Sequence, residues 1–264
     1  MRARSMKIGM AGLPSWAITC LSAALLLALW VGVTSGGLVR DLFLPGPLDL
    51  WDGLTELVQD GYKGRTILEH MGMSLLRVGA GFLTGAAVGT LLGLGMGYAP
   101  RLDAAAAPFI EFLRPLPQLA YLVLLIVWLG IGETSKITML FLAALPVTAV
   151  AARDGVRNVP TERLRVARAL GASDWQVLRH VVLPSALPEV LMGARLAIGI
   201  VYGTLIAAEI IAGSNGIGWM IMDAGRFLRS DYVFAGIMMI GLAGVAIDRI
   251  LVLVERRVVH WAGR

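Results

Sequence analysis

Charge is what this sequence has least of. Only 16% of its 264 residues are Asp, Glu, Lys or Arg, while 57% are hydrophobic, a balance well outside that of soluble globular domains. A single cysteine, Cys20, excludes an intrachain disulfide, and because it lies in an apolar stretch it says nothing about redox compartment. The three histidines, His70, His180 and His260, are scattered, and there is neither a His-Glu-x-x-His nor a paired-aspartate motif. No catalytic residue and no metal ligand is therefore expected. A Gly-rich loop ending in Gly-Lys-Ser or Gly-Lys-Thr is also missing, so the chain does not bind nucleotide by that route. The net charge of +5 does not point to nucleic acid, because the basic residues lie beside apolar runs, where membrane orientation accounts for them.

What the sequence has in abundance is apolar runs close to the roughly 20 residues needed to cross a bilayer. The expected class is all-α, a polytopic helical membrane protein forming one transmembrane domain over residues 1–264, with about six spans at 15–37, 68–97, 108–130, 137–153, 189–212 and 233–254. The opening MRARSMK and the apolar run after it imitate a secretory signal, but the run is long for a signal core and the cleavage site after it is poor, so an uncleaved first span is expected. A short amphipathic helix is expected over 48–58. Residues 214–232 are too polar and glycine-interrupted to span, and read as an interfacial or re-entrant cap, either a docking site or a passive interface helix. Six spans put both termini on one side, with 1–14 and 255–264 flanking the bundle. Basic residues gather there: Arg2, Arg4, Lys7, Arg101, Arg153 and Arg157, then the central loop, then Arg249, Arg256, Arg257 and Arg264. Arg40, Lys63, Arg65, Lys136, Arg226 and Arg229 lie opposite. That bias makes the first side cytoplasmic.

Glycine is placed with equal regularity. Gly81, Gly85, Gly89, Gly93 and Gly97 recur every fourth residue of the second span. Lipid gives helices no hydrophobic push together, so close approach through small residues is what favours association. The partner is either another helix of this chain or a second copy. Ionisable residues inside spans are costly and mark pathways or internal partners. Glu111 and Arg114 are three apart and share a helix face, as an ion pair or as ligand contacts. Pro115 and Pro117 free backbone groups beside them, close to Gln118. Glu209, toward the far side, lines a pathway or gate or serves as a structural partner. Trp128, Tyr202 and Thr204 complete a candidate pathway set.

The most informative polar stretch is 159–188, VPTERLRVARALGASDWQVLRHVVLPSALP, carrying Arg163, Arg165, Arg168, Arg179 and His180. Its first helix begins near Pro160, puts Leu164, Ala167 and Leu170 on one face and stops at Gly171. A second helix starts at Ser173 with Gln176 three residues on, a capping-box spacing, and Pro184 is expected to end it. Two short basic helices joined by a glycine also describe a DNA-reading helix-turn-helix, but this pair is tied to spans at both ends. It reads as a docking hairpin whose first helix is a rigid rod about 16 Å long.

Within it, Arg165-Val166-Ala167, three residues, Gly171, nine residues and Val181-Val182-Leu183-Pro184 resemble the EAA loop of ABC importer permeases, Glu-Ala-Ala, three residues, Gly, nine residues, Ile-x-Leu-Pro. Arg165 replaces the acid, Val166 an alanine and Val181 the isoleucine. Residues 108–137 are similar to the third-span region of permeases for taurine, aliphatic sulfonates and nitrate, with 130–136 nearest to the taurine permeases, and 207–237 is similar to the same group. The resemblance implies a type I importer fold and a permease subunit of the bacterial inner membrane for taurine or a related small sulfonate, with nitrate or cyanate as the alternative cargo. It implies a homodimer, two cytoplasmic ATPase subunits holding ATP and Mg, an extracytoplasmic solute-binding protein, and no cofactor in this chain. It further implies that the coupling loop, 153–188, contacts the ATPase through Arg165, Val166, Ala167, Arg168, Leu170, Gly171, Ala172, Ser173, Leu183 and Pro184. A carrier working alone is the remote alternative, but its usual half-to-half inverted repeat is not evident.

Overall fold

The computed structural model describes residues 14–259; the basic N-terminal flank and the last residues of the tail lie outside them. Among the described residues there is no β-strand, only an isolated bridge between Tyr62 and Arg65. Five helices are long and apolar enough to cross a membrane: α1 (Ser15–Ser35), α3 (Ile67–Tyr98), α6 (Glu133–Arg157), α9 (Leu183–Ala212) with its lead-in, and α11 (Ser230–Val258).

The expected third span is not a single crossing. The chain forms α4 (Pro100–Leu113) and α5 (Gln118–Leu129), bent by 101° from one another. Pro115 and Pro117 lack the N–H groups that would carry the ladder through, so the helix stops at Leu113 and restarts with Pro117 as its N-cap. If this bent pair counts as one crossing, the total is six. α6 also runs further than expected at both ends and includes Arg153 and Arg157.

The central bundle is α3, α6 and α9. The five glycines of the four-residue register, Gly81 to Gly97, all face α6 of the same chain. A methyl group at Gly85 would strike the Phe141 backbone, at Gly89 Thr148, at Gly93 the Ala149 carbonyl and at Gly97 Val156, while Gly81 lies against Leu140. The backbones therefore meet all along the stretch from Gly81 to Gly97, the approach that small residues allow and larger ones forbid. Val78, Phe82, Leu140, Ala144, Ala197 and Val201 fill the space where α9 closes on this pair.

At one end of the bundle, α2 (Pro47–Gln59), α10 (Ile217–Arg226) and the start of α11 share a second apolar cluster with Leu50, Leu57, Tyr62 and Ile217. Local chemistry sets these entries to helix. Asp49 accepts the Gly46 N–H at 2.9 Å ahead of α2, and Thr66 and Glu69 form a reciprocal capping box at the start of α3. At the other end, between α6 and α9, lies the hairpin.

Candidate functional site

The hairpin is built on its own small core. α7 (Thr161–Ala169) has no fully buried residue, but Val159, Val177 and Val182 are buried beneath it with Leu164, Ala167 and Ala172 packed alongside. Gly171 has φ +81°. The Gly171 N–H donates to Arg168 O at 3.0 Å and the Ala172 N–H to Ala167 O at 3.1 Å, the paired bonds of a Schellman stop that only a left-handed residue permits. Ser173 then caps α8 (Asp174–Val177), its N–H donating to Gln176 Oε1 at 2.8 Å.

Pro184 does not end this helix. A wide turn over Leu178–Val182, in which the Leu183 N–H reaches back five residues to Leu178 O, carries the chain into α9. The wider turn makes room for a proline ring that would otherwise collide with the preceding turn. The result is one helical element from Asp174 to Ala212, 39 residues long, so Leu183 and Pro184 lie inside a continuous rod rather than at a joint.

Much of the hairpin's outer surface is unused by the chain itself. Leu170 is 83% exposed, Trp175 64% and Val166 59%. Arg165 is exposed with them, and Arg168 makes one loose contact with Asp174 at 3.6 Å. Ala167, Leu170, Gly171, Ala172 and Gln176 border an open recess of about 440 Å³. Exposed apolar groups among guanidinium groups, on a rigidly capped turn, can seat in a groove and take its motion.

At the opposite end of the bundle Arg77 and Glu209 are sealed from solvent, with Glu133 half-exposed beside them. Glu209 is 0% exposed and Arg77 1%. Arg77 pairs with Glu209 through Nη1, forks onto Glu133 at 2.6 and 2.8 Å, and donates to the carbonyl and side chain of Asn215. Glu209 also accepts from Ser74 Oγ at 2.8 Å and from the Gly218 N–H at 2.8 Å. Ser74 accepts the Ile217 N–H, His70 Nδ1 the Gly216 N–H, and Lys136 pairs with Glu133 at 2.8 Å. Gly216, at φ +108°, and Gly218 lie so close to the Glu209 carboxylate that a side chain at Gly216 would displace it. Buried charges persist only when paired and hydrogen-bonded, and here two cations meet two carboxylates across α3, α6, α9 and the turn after α9. This network can hold those elements together as a latch.

The remaining pathway residues are not brought into one site. Glu111 pairs with Arg153 at 3.2 Å rather than with Arg114, because the helix ends between them and Arg114 caps α4 at the bend. Gln118 opens α5, and Trp128 is 68% exposed at its far end. Thr204 donates to Ile200 O within its own helix, and the Tyr202 hydroxyl donates to Ile240 O at 2.7 Å. Sequence reasoning missed Arg77, Ser74, His70, Arg195 and Asp248. The signal for three of them was present, an ionisable residue well inside an apolar run, but each partner lies more than fifty residues away.

On the α2–α10 side, Lys63 pairs with Asp223 at 2.6 Å and lies 4.6 Å from the Phe227 ring. Burial would raise the Asp223 carboxyl, yet the Lys63 ammonium and the Tyr62 hydroxyl hold it below its ordinary value. Burial and the same carboxylate push the Tyr62 hydroxyl up. Arg229 lowers Glu56 through a 2.7 Å ion pair.

Comparison with known proteins places this geometry. Residues 85–260 match the family model described as binding-protein-dependent transport system inner membrane component. The taurine transport system permease protein TauC of Escherichia coli (strain K12) is 40% identical, covering 91% of this chain and 88% of its own length. The putative aliphatic sulfonates transport permease protein SsuC of Bacillus subtilis (strain 168) is 34% identical over 93% of this chain and 88% of its own. Among solved structures, the inward-facing MetNI methionine ABC transporter superposes with TM-score 0.60 at 22% identity, covering 78% of this chain and 97% of that chain, a likeness of fold.

Proposed function

The chain belongs to the binding-protein-dependent transport system inner membrane components, multi-pass permease subunits of ABC importers, and on that premise we propose that it carries taurine or a related small sulfonate across the inner membrane. The relatives at 40% and 34% identity are permeases for taurine and aliphatic sulfonates, which supports that cargo. In this reading two copies form the pathway, a solute-binding protein delivers from the α2–α10 side, and two separate ATPase subunits, with their own ATP and Mg, dock on the hairpin side, where both termini lie. The bias of basic residues toward the hairpin side supports that orientation.

The observation that carries the reading is the hairpin: exposed Val166, Leu170 and Trp175 among Arg165 and Arg168, stopped at Gly171 and continuous with a helix that reaches the far side. Residues 165–173 are the contact with the ATPase, and Leu183–Pro184 the part of the rod that transmits it. Arg165 stands where the family's acid would be, so its contact on the ATPase is with an acceptor, a carboxylate or a carbonyl, rather than with a cation. In reconstituted vesicles, taurine uptake is expected to require the ATPase subunit, ATP and the binding protein together. Uptake driven by an ion gradient alone would contradict this. Calorimetric titration of the binding protein with taurine, alkanesulfonates and nitrate identifies the solute, with taurine expected to bind most tightly and a preference for nitrate contradicting the assignment.

A further inference from the structure

A second ion pair of the bundle is built quite unlike the sealed one. Arg195 of α9 and Asp248 of α11 meet in a fork, Nε to Oδ1 at 2.7 Å and Nη2 to Oδ2 at 3.2 Å. Arg195 is twelve residues beyond Leu183 and Asp248 ten residues before Val258, so each lies about 15–18 Å along its helix from the hairpin end at 1.5 Å per residue. That is well within helices long and apolar enough to cross a membrane. Yet the two side chains are 44% and 45% exposed. Charged side chains inside an apolar span almost always face the bundle interior or a water-filled space of the assembly.

Beside the pair is a cavity of about 130 Å³, against roughly 10–15 Å³ for a single water. Its walls are Ile198, Gly199, Tyr202, Gly244 and Ile247 besides the two charges. The room depends on the glycines. Nothing lies within 4 Å of where a Gly199 side chain would start, and one at Gly244 would press on the Tyr202 ring at 3.2 Å.

We propose that Arg195, Asp248 and this cavity form a transit site for a small aminosulfonate zwitterion, the guanidinium taking the sulfonate and the carboxylate the ammonium; this rests on the sulfonate reading above. Arg presents a planar fork suited to an oxyanion, and the ligand's two poles replace the two partners of the ion pair, so no charge is left unpaired when the pair opens. The carbon spacer lies against Tyr202 and Ile198. A sulfonate without the amine separates Arg195 from Asp248 and leaves the carboxylate unmatched, so the site discriminates against it.

The test uses the complete permease–ATPase assembly in nanodiscs without binding protein, with taurine or ethanesulfonate binding read by ligand-observed NMR, and with taurine uptake by the full system measured in parallel. Taurine is expected to bind at least about tenfold more tightly than ethanesulfonate, a difference of about 1.4 kcal/mol. Asp248→Asn should narrow that gap, Arg195→Gln should abolish binding of both, and Gly199→Leu should weaken taurine binding and uptake by about tenfold or more with an unchanged melting temperature. Taurine binding indifferent to all three substitutions, losses that track a falling melting temperature in all three, or separation of the variants into single permease copies would each overturn the site, the last assigning the cavity to a contact between copies. An unaltered assembly that takes up no taurine would overturn the sulfonate reading itself and the site with it, whereas normal uptake with indifferent variants overturns the site alone.

Discussion

The two ends of the bundle solve opposite problems with the same residue types. At the hairpin end, arginines stand in solvent among exposed Leu170 and Trp175, and few of their possible partners are supplied by the chain. At the other end, Arg77 and Lys136 are buried, Arg77 engaged by Glu209, Glu133 and Asn215 and Lys136 by Glu133. Charge left open describes a surface completed by another molecule, and charge closed on itself describes a fastening. The continuous element Asp174–Ala212 joins them, with the hairpin at its start and Glu209 in its last turn. A displacement of the hairpin is therefore delivered to the latch without an intervening joint.

The contrast can be broken most severely at the latch. Glu209→Ala leaves Arg77 with Glu133 as its one carboxylate and takes the acceptor from Ser74 Oγ and the Gly218 N–H beside a void, and should destabilise the permease by about 3–5 kcal/mol. Thermal melting in detergent measures it, and replacing Arg77 and Glu209 together by methionine should recover most of the loss. Next comes the seam between the ends: Gly89→Val forces α3 away from Thr148 and the Leu145 backbone and should cost about 1–3 kcal/mol by overpacking in the same melt. Leu170→Ser, at the open end, should shift stability by no more than about 0.5 kcal/mol, yet weaken retention of the ATPase subunit on a co-purification column. The smallest effect is on the α2–α10 side. Asp223 and Glu56 are held below their ordinary values, so their contribution is complete above the unfolded values and is lost as pH falls through the lower folded ones. Melting temperature should fall on acidification below about pH 4, and less steeply in Asp223→Asn.

Most of the architecture was legible in the sequence because membrane helices are read from length and apolarity. Residues 68–97 became Ile67–Tyr98, and 48–58 became Pro47–Gln59. The glycine register was visible, but not the helix it meets, because a small-residue face carries no label for its partner. Pro115 and Pro117 announce freed backbone groups within a span expected over 108–130, but not the size of the bend, 101°, that they impose on it. Pro184 was read as a stop because a proline normally breaks the ladder, and the wide turn before it is a backbone adjustment that no residue announces. Glu111 was assigned the neighbour in sequence, Arg114, and took the neighbour in space, Arg153. The latch was half legible: Glu209 stood out, while Arg77, 132 residues earlier, could be joined to it only by the fold.

The central claim is that motion enters at the hairpin and travels along a rigid element, and Gly171 is where it is most exposed to test. Proline at this position cannot adopt φ +81° and has no N–H for Arg168, so the Schellman stop is lost while the spans are untouched. The decisive measurement is ATP-dependent taurine uptake by Gly171→Pro in vesicles carrying the complete system. We expect full membrane insertion with uptake reduced to background; uptake at the unaltered rate would contradict the account.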